Sequence, residues 1–352
     1  MKLKNVLQML IAGGVGSMLA LAAAQAATAG ADAQFEVAKH YGLDGAERWD
    51  YVAYDPVRHH LFVSRDTHVQ VIDTRTGKLF GEIENTDGVH GFAFVQDRKL
   101  GFVTNGRADT ITVINLDTLK VIDTIKAGGP DPDGILYVPA LRRVYVSNGH
   151  DKSVSAIDVA TRKVIATLPV GGKPEALAAD SHGHVFVNVE DTSEIVEMDG
   201  KSDGVLGHWS IAPCESPTGL AIDTSSERLF AVCGNQRMMV IDAASGRHVA
   251  EVPIGGHPDT AAFDPALKLA FSSNGADGTL TVVHEDDADH YSVAQNVQTL
   301  EGAKTMALDE KTHRVYLVSS KFAPAEAATA DNPHPHPTVI PGTFEVLVAQ
   351  RK

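Results

Sequence analysis

A short β segment centred on an aromatic residue recurs seven times along this chain, and no other feature restricts its fold as strongly. The copies read LFVSR (61–65), GFVTN (101–105), VYVSN (144–148), VFVNV (185–189), LFAVC (229–233), AFSSN (270–274) and VYLVS (315–319). Their aromatic residues, Phe62, Phe102, Tyr145, Phe186, Phe230, Phe271 and Tyr316, are spaced by 40, 43, 41, 44, 41 and 45 residues. A period of about 40–45 residues built from short strands is that of a propeller blade. The spacing therefore predicts an all-β fold, a seven-bladed β-propeller of four-stranded antiparallel blades. It leaves the ligand open, because function lies in a site grafted onto a fold.

Each unit keeps one internal order. In residues 135–176, ILYV, VYVSN, SVSAIDV and VIATLPV are β-rich runs, separated by the turns PALRR, NGHDK and ATRK and followed by the exit loop GGKPEA. Such alternation of short apolar runs and turn residues marks hairpin-linked strands. The units are predicted at about 52–91, 92–134, 135–176, 177–219, 220–260, 261–305 and 306–350, in one propeller domain spanning 27–352. The last unit supplies only three strands: TMALD, RVYLVSS and TFEVLVA. Its fourth is expected from Gln34-Phe35-Glu36-Val37-Ala38, because joining the two chain ends in one blade removes free sheet edges.

VYVSN followed by SAIDVATRKVIATLPVGGKPEALAAD resembles the YVTN-type β-propeller repeat, and residues 33–350 as a whole are similar to YncE-like periplasmic propellers. The third repeat matches well, the fourth and sixth loosely. Some YncE-like propellers touch DNA. This chain has no Lys/Arg cluster to do so, and its formal charge of −15 becomes −17 once Lys2 and Lys4 leave with a signal peptide. That balance argues against a nucleic-acid partner, which is held by clustered cations.

Lys2 and Lys4 precede an apolar stretch from Val6 to about Ala24 that ends in Ala24-Gln25-Ala26. This is the pattern of a secretory signal peptide over residues 1–26, cleaved after Ala26; an uncleaved anchor is the competing reading. No later stretch is long and apolar enough to span a bilayer, so a periplasmic address is expected. In such a compartment the two cysteines, Cys214 and Cys233, invite a disulfide. Cys214 lies in the connection entering the fifth unit and Cys233 ends that unit's second strand, so both reach one face. The alternative is a buried Cys233 and an idle loop thiol at Cys214.

The connections into the innermost strands converge around the central channel. Aligned by repeat, they place Trp49, His90, Asp133, Glu175, Thr218, Asp259 and Lys304 just before those strands, at a position that varies while the scaffold stays constant. These residues are the candidate funnel-rim ligand site, able to hold a cation or a polyol-like molecule. Solvated loop tips are the plainer explanation. Asp133, Glu175 and Asp259, with Asn148 or Asn274, are candidate metal ligands if their oxygens converge. His90 shows no partner in the sequence that would make it a general base.

Elsewhere, APAEAATADNPHPHPTVIP (323–341) reads as a mobile insertion in which His334 and His336 are poorly spaced for chelation. His284-Glu285-Asp286-Asp287-Ala288-Asp289-His290 reads as a solvated hairpin tip. His59, His60, His182, His184 and His313 read as turn surface. No GxSxG, HExxH, P-loop, dinucleotide fingerprint or CxxCH run is present, and no cofactor is expected. The favoured function is a non-catalytic exported scaffold that binds a small molecule, peptide or periplasmic protein through its funnel. The alternatives are a metal-dependent lactonase- or lyase-like propeller enzyme, or an accessory protein to a periplasmic quinoprotein or haem dehydrogenase.

Overall fold

In the computed structural model, residues 34–324 and 338–352 are described. The proposed signal peptide and the His334–His336 pair lie outside them. The described residues form seven four-stranded antiparallel sheets. Six sheets are built from consecutive strands, as in the first: Val52–Asp55, His60–Arg65, His68–Asp73 and Lys78–Ile83. The seventh takes Met306–Asp309, Arg314–Ser319 and Glu345–Arg351 from the C-terminal end and Phe35–Gly42 from the N-terminal end. Phe35 pairs with Arg351 and Gly42 with Glu345, antiparallel. The inner strand of each blade packs beside the inner strands of both its neighbours, the seventh beside the first. The ring is therefore closed, and the N-terminal strand completes the last blade.

The recurrent aromatics explain why the blades stack. All seven are buried, none more than 1% exposed. They sit on the second strands and pack across blade boundaries: Phe230 stacks on Phe263 at 5.0 Å, Phe271 meets Phe35 edge-on at 5.4 Å, and Tyr316 meets Tyr54 at 5.3 Å. Second and third strands are buried on both faces, whereas outer strands such as Val121–Lys126 alternate towards solvent. This gradient is that of blades covered on both sides except at the rim.

The Ser/Thr and Asn of the repeated motif have separate tasks. Asn105, Asn148 and Asn274 each donate their amide to two hydroxyls on the third strand of their own blade: Thr110 and Thr112, Ser153 and Ser155, Thr279 and Thr281. In the fifth blade Cys233 takes the Asn position and is joined to Cys214. The bond closes a sequence separation of 19 residues on the face where the chain enters that blade.

Histidines and acids outside the channel are less superficial than their turn positions predict. His60 is 5% exposed and lies 4.1 Å from the Phe80 ring, and His313 bonds Asp264 at 2.7 Å. The acidic run forms the hairpin Thr279–Asp287/His290–Gln298, and Arg228 of the fifth blade donates to the Ala288 carbonyl at its tip. The flanks of the insertion pair with each other, Ala323 N–H to Thr338 O at 2.8 Å and Ile340 N–H to Lys321 O at 2.9 Å. Residues 325–337 between them are outside those described.

Candidate functional site: the mouth of the central channel

The inner strands of the second to sixth blades begin with an irregularity in register, at Val89/Phe92, Pro132/Ile135, Pro174/Leu177, Pro217/Leu220 and Pro258/Thr260. One extra residue on the inner strand bends it and re-aims a side chain. Asp133, Glu175, Thr218 and Asp259, at these bulges, line the channel mouth. A second device holds them. The motif hydroxyl or amide of one blade donates to the carbonyl of the channel residue in the next: Thr104 to Asp133 at 2.7 Å, Ser147 to Glu175 at 2.6 Å, Asn188 to Thr218 at 3.1 Å and Ser273 to Lys304 at 2.5 Å. These four donors are fully buried. The repeat that specifies the fold therefore also fixes the backbone of the rim.

Five of the seven expected positions, Asp133, Glu175, Thr218, Asp259 and Lys304, line the mouth; His90 sits against the lining residue Asp50, and the seventh position is displaced by one residue. Trp49 turns outward, with its ring 5.1 Å from Phe344 and 5.7 Å from Phe322, while Asp50 lines the channel. Register explains the shift: Val52 pairs with Val63 as Phe92 pairs with Val103, so Asp50 is the counterpart of His90 and Tyr51 that of Gly91. Tyr51 looks like the first residue of a strand. It occupies a slot held by glycine in three other blades, where an added Cβ would lie 2.6 Å from the Glu175 carbonyl at Gly134 and 2.4 Å from the Ala261 nitrogen at Gly219. Lys173, Glu190, Ser216, His257 and Tyr51 also line the mouth and were not anticipated. They lie one or two residues from the repeat position, or on the second-strand turn, where period alone gives no signal.

The mouth is a polar cavity of about 420 Å³, formed by residues from six of the seven blades. One side carries a continuous chain of ion pairs. Lys304 Nζ lies 2.6 Å from Asp259 and 3.2 Å from Asp50, and the other Asp50 oxygen lies 2.6 Å from His90 Nδ1. Burial pushes the His90 imidazole down, but its bond to Asp50 and the charge of Asp133 outweigh this and raise it to about 9. Burial would raise Asp50; the His90 bond and the Lys304 charge hold it below its ordinary value. Lys304 is likewise held charged, since Asp259 and Asp50 override its desolvation.

The other side is different. Lys173 lies 2.7 Å from both Glu175 and Glu190. Asp133 has its nearest cation, His90 Nδ1, at 3.8 Å, and its Oδ1 is sealed from solvent without a hydrogen bond. Burial pushes Asp133 up to about 7 despite His90. Burial and then the Asp133 charge push Glu175 up to about 8 despite Lys173.

Asp133, Glu175 and Asp259 do not bring three ligand atoms together. Among the described residues the group that does is Asp50, His90 and Asp133, with atoms within 4.8 Å of one another. Asn148 and Asn274 spend their amide donors on their own hairpins and do not line the cavity.

Fold and site together define a closed seven-bladed β-propeller with a charged funnel at one end. Residues 60–185 match the model of the YNCE-like beta-propeller family. No curated protein matches it. Among solved structures it is similar to "Structure of U3-55K" (TM-score 0.73, 12% identity, 89% of this chain and 99% of that one). It is similar to "Crystal structure of RRP9 WD40 repeats" (0.73, 11%, 90% and 98%) and to Kuenenia stuttgartiensis hydrazine synthase (0.68, 17%, 86% and 98%). At these identities the likeness is one of fold. No helix among the described residues is long and apolar enough to cross a membrane.

Proposed function

We propose that this protein is an exported, non-catalytic binding scaffold that takes its ligand into the channel mouth, with the periplasm as its address. The observation that carries the reading is the cavity itself: about 420 Å³, within the range of small-molecule sites, and lined by Asp50, Asp133, Glu175, Glu190 and Asp259 against Lys173 and Lys304. Carboxylates at solvated loop tips would keep ordinary acidities, whereas Asp133 and Glu175 are raised to about 7 and about 8 by burial. Perturbed carboxyls in a concave site support a functional reading. The leader-like Lys2–Ala26 sequence and the Cys214–Cys233 bond suit an oxidising compartment.

One observation favours the metal-dependent enzyme as a second reading, the proximity of Asp50, His90 and Asp133. The chemistry of the donors weighs against it. His90 Nδ1 is committed to Asp50 at 2.6 Å, and its proton is held up to about 9, while Lys304 stands 3.2 Å from the same carboxylate. A metal would have to displace both a proton and a neighbouring cation. Elemental analysis of protein purified without chelator, alongside an Asp133→Ala/Glu175→Ala variant, tests the choice. Metal-free protein is expected. A stoichiometric metal that is lost in the variant would overturn the scaffold reading and direct substrate screening to lactones.

A further inference from the structure

The funnel wall is charge-balanced on one side and short of cations on the other. From the sixth blade round to the second, Asp259, Lys304, Asp50 and His90 alternate in sign, each in contact with the next. The following two blades break the alternation with Asp133 and Glu175, and Glu190 adds a third carboxylate. Among the described residues Lys173 is the one cation in contact with Glu175 and Glu190, and it makes no ion pair with Asp133. Buried carboxylates are costly unless paired and hydrogen-bonded. With three carboxylates and one lysine, this side is two positive charges short when all its carboxyls are ionised.

We infer that the ligand carries a primary ammonium group, which seats on Asp133, Glu175 and Thr218. The inference rests on the scaffold reading above and deepens it. An R–NH3⁺ group has three donors and no acceptor, and three consecutive blades present three acceptors to one cavity. The Asp133 and Glu175 carboxylates are two, and the Thr218 hydroxyl is the third. Thr218 Oγ1 donates its own proton to the Pro258 carbonyl at 3.1 Å, which leaves its oxygen free to act as an acceptor. Tyr51 adds an aromatic ring to the same lining, a surface that favours cations. A bare divalent ion suits this side less well. Among the described residues Asp133 and Glu175 do not converge with a third His, Cys or carboxylate ligand. The balanced side offers no comparable vacancy, because each of its carboxylates already has a cation within 3.2 Å.

Isothermal titration of the mature protein in chelator-containing buffer tests this with a matched pair of probes, 1-aminobutane and 1-butanol. The amine is expected to bind and the alcohol not. Asp133→Asn and Glu175→Gln are each expected to weaken amine binding about tenfold or more, the size of one charge-assisted hydrogen bond. Equal binding of both probes, no binding of the amine, or amine binding unchanged in both variants would overturn the ammonium assignment. If either variant fails to fold, the amine/alcohol comparison on the unaltered protein decides the matter alone. The outcome is separable from that of the scaffold reading. A metal-free protein that ignores amines loses the ammonium inference only, whereas a stoichiometric funnel metal removes the scaffold reading and the inference with it.

Discussion

The two sides of the channel mouth are made from the same structural positions and solve the burial of charge in opposite ways. On the side of Asp259, Lys304, Asp50 and His90, every carboxylate has a cation in contact, and the network is complete without any ligand. On the side of Asp133, Glu175 and Glu190, one lysine serves two carboxylates and the third has no hydrogen-bonded cation. The backbone beneath is held alike on both, by Thr104 and Ser147 on one side and Ser273 on the other. The difference is therefore carried by side chains at a position the repeat leaves free. A propeller can keep its frame and still leave a part of its rim unsatisfied, which is where a ligand contributes most.

The largest effect should come from the wall next to the unbalanced side. The Cys214–Cys233 bond closes a separation of 19 residues and tethers the loop that leads to Ser216 and Thr218. Replacing both cysteines by serine should cost about 3 kcal/mol from loop-closure entropy, read as a lower unfolding midpoint. If amine affinity falls together with stability, the tether also shapes the unbalanced wall. If the midpoint does not move, the bond contributes nothing to the frame.

Next in size is the direct test of the comparison. Lys304→Met removes the cation shared by Asp50 and Asp259 and should destabilise by about 2 kcal/mol, a value reduced from that of a fully buried pair because Lys304 remains 31% exposed. Asp133→Asn, on the other side, should leave stability unchanged or raise it, since it removes a charge without a hydrogen-bonded cation. Denaturant unfolding of the two variants at pH 8 checks both signs, and a reversal of the order would break the contrast.

A third effect is graded with pH. Asp133 and Glu175 hold their protons up to about 7 and about 8, so the folded chain binds more protons than the unfolded chain from about pH 4 upward, and stability falls across that interval. His90 has the same sign: its raised value of about 9 stabilises fully below the unfolded value near 6.5 and is lost as pH climbs through 9. Asp50 opposes both at the acid end, since its lowered value adds stability that is lost on acidification. The unfolding midpoint should therefore peak on the acid side of neutrality. Asp133→Asn should flatten the decline between about pH 5 and 8, and a profile identical to that of the unaltered protein would show that Asp133 ionises normally.

The sequence makes the frame far more legible than the site. Seven aromatics at a steady period suffice for the ring, because burying an aromatic between blades recurs with the backbone. The N-terminal strand at Phe35 is legible because the last repeat lacks a strand that closure requires. The rim is legible wherever Pro or Val marks the residue before it, as at Asp133, Glu175, Thr218, Asp259 and His90. It slips by one at Trp49, because Tyr51 has the chemistry of a strand residue and sits in a glycine slot. Charge pairing could not be read at all. Whether Lys304 meets Asp50, 254 residues away, or Asp259, 45 residues away, depends on ring closure and not on any local pattern.

The smallest effect concerns the link between frame and rim. Ser147 donates at 2.6 Å to the carbonyl of Glu175, and Thr104 at 2.7 Å to that of Asp133. Ser147→Ala leaves a buried carbonyl without that donor and should cost about 1 kcal/mol, read as a shift of about 2 °C for a domain of this size. The fifth blade supplies a natural contrast. Val232 occupies the hydroxyl position there, and the next blade is reached instead by Thr218 Oγ1, which donates to the Pro258 carbonyl. Thr218→Val should therefore destabilise by a similar amount and also remove one of the three acceptors proposed for the ammonium. Ser147→Ala leaves all three acceptors in place. If both variants lose stability but only Thr218→Val loses amine binding, the hydroxyls of the motif hold the frame and the rim residue holds the ligand. If Ser147→Ala weakens amine binding as strongly, the position of the Glu175 backbone limits the site, and frame and rim are one unit.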